Sequence, residues 1–178
     1  MAKRSFPLSK VYSLLESGPV VMVTTAWASK MNVMPMSWHT MMEFEPPLVG
    51  FVMSDQHYSF GPLTATKECV INIPTVNIVE KVVECGNISG SIVDKFKKFN
   101  LTPKPAAKVK APLIDECYAN FECRVVDTSM AKKYCFFVVE VVKAWIDPAA
   151  KEPLTIHHQG KDDFMVAGKI IKVKSKKK

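Results

Sequence analysis

Residues 119–146 read ANFECRVVDTSMAKKYCFFVVEVVKAWI, and this stretch decides the fold class. Its two halves, 119–126 and 134–146, are rich in Val and Phe, residues that favour extended backbone. Met130, Ala131 and Lys132 fall near the turn between them. Both runs exceed the common strand length of roughly 5–6 residues, which suits a strongly curved sheet or a barrel.

Working outward, residues 19–27 (PVVMVTTAW) read as a buried strand and ASKM as a turn. Residues 32–36 return as a second strand. SWHTMMEF continues extended until Pro46-Pro47, and LVGFVMS is the next strand. CVINIPT is another, ended by Pro74. Helical patterns are short. They cover 8–16 with Ser9 as cap, 58–67 with Pro62 near the first turn, 76–84 on the spacing Val76, Val79, Val82 and Val83, and 91–99. The proline-containing residues 104–112 read as a loop with one edge strand, and a segment near 153–165 closes the domain. Strands outnumber helices and follow one another in hairpin order. The pattern predicts a mainly β (α+β) barrel with a few short helices, not a doubly wound sheet.

The chain has 178 residues, 48% hydrophobic and 23% charged, enough for one domain with its own core. The net charge of +7 is unevenly placed. Residues 169–178 (KIIKVKSKKK) hold six lysines and no acid; removing those six from 24 basic residues leaves 18 against 17 acidic ones. The reading is therefore a nearly neutral domain over 1–168 and a basic, solvated tail over 169–178. A nucleic-acid reader carries its basic residues on the folded face, interleaved with aromatics, so a nucleic-acid-binding barrel using the lysine tail is the distant alternative. No apolar run approaches the roughly 20 residues of a bilayer span. MAKRSFPLSK lacks the apolar segment of a signal peptide, so the expectation is a cytoplasmic protein with no membrane partner. Cys69, Cys85, Cys117, Cys123 and Cys135 include no C-x-x-C pair and sit among apolar neighbours, which reads as small buried hydrophobes and no metal site.

The seven glycines form neither a dinucleotide-binding fingerprint nor a P-loop, and there is no G-x-S-x-G elbow. The carboxylate pairs Asp115-Glu116 and Asp162-Asp163, and the pair His157-His158, are adjacent, so on a strand their side chains would point to opposite faces.

Two stretches carry chemistry. In NVMPMSWHTM (32–41), Asn32, Ser37, His39 and Thr40 place polar groups among Val, Met and Trp38. On a continuous strand Met36, Trp38 and Thr40 share one face and Ser37 and His39 the other. Such a surface can hold a flat heteroaromatic ring, and equally it can be a Met-rich core strand with satisfied polar groups. In CGNISGSIVDKF (85–96), small residues and backbone N–H groups precede a short helix, with Lys95 nearby. That reads as a phosphate site or as an ordinary capping turn.

Together with PVVMVTT, EPPLVGFVM, CVINIPT, APLIDECYANFEC and FFVVEVVKAWID, these stretches resemble the flavin reductase-like family, with flavoredoxins among its members, over about 19–168. The resemblance implies an FMN-binding split antiparallel β-barrel. It implies that Asn32, Met36, Ser37, Trp38 and Thr40 line the isoalloxazine and ribityl chain. Ser54, His57 and Tyr58 would reach the ribityl and phosphate. Asn72, Gly90, Ser91, Asp94 and Lys95 would lie near the cofactor. Phe164 stands where relatives commonly have tyrosine, and the arginine and threonine common around His57-Tyr58 are missing. The implied activity is an NAD(P)H:flavin oxidoreductase, passing hydride from a reduced nicotinamide to FMN N5 with no side-chain nucleophile. The implied assembly is a homodimer with FMN at the subunit junction. The alternative is a flavoredoxin-like electron carrier whose tightly bound FMN is reduced by a redox protein.

Overall fold

A computed structural model of the chain describes residues 18–174. The helix expected at 8–16 lies outside them.

The β-rich stretches become one antiparallel sheet of seven strands in the order β2-β1-β5-β8-β9-β4-β3. They are β1 (Val21–Trp27), β2 (Lys30–Met36), β3 (His39–Phe44), β4 (Pro47–Val52), β5 (Glu68–Ile73), β8 (Ala119–Asp127) and β9 (Phe136–Ile146). The end strands β2 and β3 are not paired with each other, so the curved sheet is a split barrel rather than a closed one. Two small ladders flank it, β6 (Pro103–Lys104) with β7 (Leu113–Ile114) and β10 (Ile156–His158) with β11 (Phe164–Val166). Val20 N donates to Ile156 O at 2.7 Å, which fastens the β10–β11 hairpin to the start of β1.

The helices are α1 (Phe60–Thr66), α2 (Val79–Asn87) behind a 3-10 turn (Val76–Ile78), α3 (Lys95–Lys98) and α4 (Ala131–Tyr134). Lys67 ends α1 in the left-handed region at φ 58. Alternation along β1 divides its side chains between two cores. Val21 and Val23 face the barrel interior with Met36, Phe51, Leu63 and Phe137. Val20 and Met22 pack with Val33, Val82, Cys85 and Phe96 beneath α2 and α3. Each fully buried aliphatic side chain of this kind contributes about 1.5–3 kcal/mol.

The β8–β9 register shifts between Glu122 and Cys123 and again between Val125 and Asp127. Ahead of the shift Phe137, Val139 and Val141 face the interior with Cys123. Beyond it Lys143 and Trp145 stand opposite Glu122 and Asn120 on the outer face. There the fully buried Glu122 carboxylate accepts hydrogen bonds from Ala107 N (2.9 Å), Lys108 N (2.5 Å) and Trp145 Nε1 (2.7 Å), pinning the 105–110 loop over β8. Burial alone would raise its pKa; the hydrogen bonds outweigh burial and hold it below the ordinary glutamate value.

Three expectations are corrected. Only Lys95–Lys98 of the 91–99 pattern is helical. Asp94 caps it by accepting from Lys97 N at 3.2 Å, while Ser89 O takes the amides of Ile92 and Val93 and Ser89 Oγ that of Ser91. These local bonds compete with helix in the preceding turn. The stretch 32–41 is not one continuous strand; it breaks at Ser37-Trp38, so Met36 is 6% exposed and Trp38 56%. The run 134–146 starts as strand only at Phe136, because 131–134 coil into α4. The five cysteines are free; four are buried and Cys135 is half-buried.

Candidate functional site

A cleft of about 230 Å³ opens where β2, the loop before α1, the end of α2 and the 88–90 turn meet. Its walls include Asn32, Pro35, residues 56–59, residues 85–90 and Lys95.

Asn32 stands on β2 directly opposite Thr25 and is 3% exposed. Its Nδ2 donates to Ser59 Oγ at 2.8 Å. With the amide nitrogen engaged there, Oδ1 is the free end, and it is buried with no hydrogen-bond partner. Gly90 lies against that oxygen; a Cβ at this position would collide with Asn32 Oδ1 and press on the Tyr58 ring. An unsatisfied buried acceptor costs roughly 1–3 kcal/mol, so its retention at a cleft wall points to a donor supplied from outside the chain.

Lys95 is the second unusual group. It is 4% exposed, and its Nζ donates to Val33 O at 2.9 Å and Cys85 O at 2.6 Å. Among the described residues it makes no ion pair. An ammonium has three N–H donors, so two carbonyls leave one uncommitted and the charge unneutralised. Burial lowers the Lys95 pKa, with the neighbouring Cys85 acting in the opposite sense. Burial pushes the Cys85 thiol up to about 11, so at neutral pH it is protonated and a poor nucleophile.

The structure brings Asn32, His57, Tyr58, Gly90 and Lys95 together on this cleft. Ser54 stands behind it and shapes the loop, accepting from Gln56 N at 3.2 Å through its hydroxyl and from His57 N at 3.0 Å through its carbonyl. Ser91 and Asp94 line an adjoining recess of about 340 Å³ with Lys30, joined to the cleft through Gly90. Met36 and Ser37 line a second cleft of about 350 Å³, which shares Pro35 and Asn87 with the first. Trp38 and Thr40 line neither cleft; both are exposed, and Thr40 Oγ1 donates to Met41 O at 3.1 Å. Asn72 is not at the site. It is fully buried on β5, where Nδ2 donates to Met22 O (2.8 Å) and Oδ1 accepts from Ile114 N (3.0 Å) and Asn120 Nδ2 (2.8 Å). Those bonds stitch β1, β5, β7 and β8 together.

Gln56 and Ser59 escape the sequence reading, and Cys85 and Asn87 fall within the 85–96 stretch without being named as site residues. Ser59 falls inside the helix expected at 58–67, whereas the structure starts the helix at Phe60 and leaves Ser59 as its N-cap. Among the described residues no three His, Cys, Asp or Glu side chains gather as a metal site, and no helix is long and apolar enough to cross a membrane.

The architecture is that of the FMN-binding split barrels. Flavoredoxin of Desulfovibrio vulgaris (Miyazaki F) superposes with a TM-score of 0.85 at 21% identity, covering 97% of each chain. An FMN-binding domain of a flavin reductases-like enzyme from Shewanella baltica does so with a TM-score of 0.82 at 23% identity, covering 96% of this chain and 97% of the other. At such identities the likeness speaks of fold alone. Residues 14–173 match the flavin reductase like domain, and the chain belongs to that family. An uncharacterized protein of Archaeoglobus fulgidus is 33% identical over 123 residues, 69% of this chain and 70% of its own.

Proposed function

We propose that this chain binds FMN in the first cleft and acts as an NAD(P)H:flavin oxidoreductase. The observation that carries the reading is the buried, unpartnered Asn32 Oδ1 beside the buried, unneutralised Lys95 ammonium. One site thus offers an acceptor for a hydroxyl and a cation for an anionic oxygen. Gly90 keeps the wall between Asn32 and Tyr58 open. FMN, with its ribityl hydroxyls and its phosphate, fits this pairing of needs.

When bound, FMN supplies hydride acceptance at N5 and electron transfer in one- or two-electron steps. Ser59 fixes the Asn32 amide so that its oxygen is the atom presented. Lys95 is held by two backbone carbonyls and cannot swing away, so its charge is preorganised. The protonated Cys85 thiol adds no competing charge. The walls around these groups would exclude water from the reacting ring, and no side-chain nucleophile is needed.

We also propose a homodimer with FMN at the subunit junction. The end strand β3 and its approach carry Trp38, Met41, Met42 and Phe44, the last 89% exposed. A second copy laid on that edge would cover both the apolar side chains and the unpaired strand.

The test is to add FMN, remove the excess and record the visible spectrum, then add NADH or NADPH without oxygen. A retained flavin spectrum that bleaches supports the reductase. A retained spectrum that does not bleach points to an electron carrier reduced by a redox protein. A colourless protein overturns tight FMN binding and leaves only a reductase that takes flavin as a diffusing substrate, which NAD(P)H oxidation with no dependence on added FMN would overturn in turn.

A further inference from the structure

We propose that Cys69 and Cys123 form a latent disulfide site: under oxidising conditions the two thiols join, and the bond latches two neighbouring inner strands of the barrel sheet together. Neither residue lines the first cleft, so the latch stands or falls independently of the flavin reading.

β5 and β8 are neighbours in the middle of the seven-stranded order, with further strands on both sides. Their antiparallel register runs from Glu68 opposite Arg124 to Ile73 opposite Ala119 and sets Cys69 directly opposite Cys123. Directly opposed residues of such a ladder have Cα atoms roughly 4.5–5.5 Å apart, inside the window of about 4.4–6.8 Å that a disulfide spans. Their Cβ atoms also leave the sheet on the same face. Both side chains have no exposed surface and pack in the barrel interior with Val21, Leu63 and Phe137. There the two thiols are in hydrogen-bonding contact, and Cys123 Sγ also donates to Phe121 O at 3.3 Å. Joining them removes two hydrogens and asks for no change of register. The other cysteines have no such partner. Cys85 lies on α2, and Cys117 and Cys135 lie outside the strands, so among the described residues this is the only cysteine pair that a ladder sets face to face.

The oxidant is a small disulfide of the glutathione class, and the exchange balances. A cysteine thiolate attacks one of its sulfurs, forming a mixed disulfide and releasing one glutathione. The second cysteine attacks the protein sulfur of that mixed disulfide and releases the other. Two electrons pass from the cysteines to glutathione disulfide, and the two thiol protons end on the released glutathione thiols. In the closed fold the exchange does not begin. Contact with Cys69, together with burial, holds the Cys123 pKa well above the ordinary thiol value, so the thiol is protonated, and a tripeptide disulfide does not reach a side chain with no exposed surface. Exchange begins when β5 and β8 part. It completes as the register re-forms, because the re-formed ladder sets the second thiol against the first. The same burial then shields the bond from reductants. Residues 70–122, between the two cysteines, carry α2, the 88–90 turn, Lys95 and the 105–110 loop. One bond thus closes at its base the excursion that supplies a wall of the first cleft.

The test refolds the reduced full-length chain from urea with glutathione disulfide, and in parallel with reduced glutathione alone. Peptide mapping without reductant is expected to link Cys69 to Cys123 in the first sample only. The latched chain should unfold about 5–15 °C above the reduced one. Dithiothreitol should reopen the bond about tenfold faster, or more, in urea than in buffer. Cys69→Ala and Cys123→Ala should each abolish both the linked peptide and the rise in midpoint; the map of the native chain decides the matter where a variant fails to fold. Links among the other cysteines, or glutathione adducts on Cys69 and Cys123 with no bond between them, overturn the site. A Cys69–Cys123 bond that leaves the unfolding midpoint where it was overturns the latch.

Discussion

Among the described residues two charged side chains are buried, and they are solved in opposite ways. Glu122, with no exposed surface, is surrounded by donors: Ala107 N, Lys108 N and Trp145 Nε1. Lys95, 4% exposed, has two carbonyl acceptors, no acid and a neighbouring acceptor, Asn32 Oδ1, that nothing satisfies. The carboxylate is a closed account of hydrogen bonds that holds one loop. The ammonium leaves capacity over, and beside it an oxygen does the same. Burial alone does not separate structure from function. Leftover capacity at a cleft wall is what marks Lys95 and Asn32 for the proposed site.

The largest effect is expected where the comparison is most one-sided. Glu122→Ala strips three donors of their acceptor and should cost about 3–4 kcal/mol in urea unfolding, with FMN affinity followed in parallel. A loss under about 1 kcal/mol would show that the 105–110 loop is not held as argued. Lys95→Met should do the reverse: FMN affinity, by fluorescence titration, falls about thirtyfold, or about 2 kcal/mol, and the unfolding midpoint moves little. Equal losses of stability and affinity would erase the distinction between the two charges. Next comes Gly90→Ala, which pushes Asn32 off its bond to Ser59; affinity should fall about tenfold. Unchanged binding would mean the orphaned oxygen is not part of the cofactor site. The smallest effect is a pH dependence. Because the folded Glu122 pKa is depressed, its contribution to stability is fully present above the unfolded glutamate value of about 4.3 and is lost as pH falls through the lower folded value. The unfolding midpoint of the native chain should therefore drop more steeply below that pH than that of Glu122→Gln. Parallel curves would refute the assignment.

Much of this was legible in the residues, and the failures are instructive. The strands announced themselves through β-branched runs and hairpin order, and β1 and β4 were placed within about two residues. The sequence points to Asn32, Gly90 and Lys95, but not to the packing that makes them unusual. An unpaired oxygen and an unpaired cation are properties of three-dimensional packing, and spacing along the chain does not report them. Asn72 shows the converse. The family resemblance places this asparagine near the cofactor, yet its side chain is spent on joining strands. The Ser37-Trp38 break was hidden for a third reason. Strand alternation assumes a continuous strand, and nothing in SWHTMM marks where the sheet splits.

The shifted register of β8 and β9 has a consequence for side-chain phase. Cys123 pairs with Val141 and Glu122 with Lys143, so Val142 is the extra residue that no partner matches. Before it, odd-numbered residues of β9 point inward; after it, they point outward. That half-period slip is what delivers the Trp145 indole to Glu122 rather than into the barrel. One strand can thus serve two cores of opposite parity. Deleting Val142 alone, with no side chain near the clefts touched, would turn the last turn of β9 inside out.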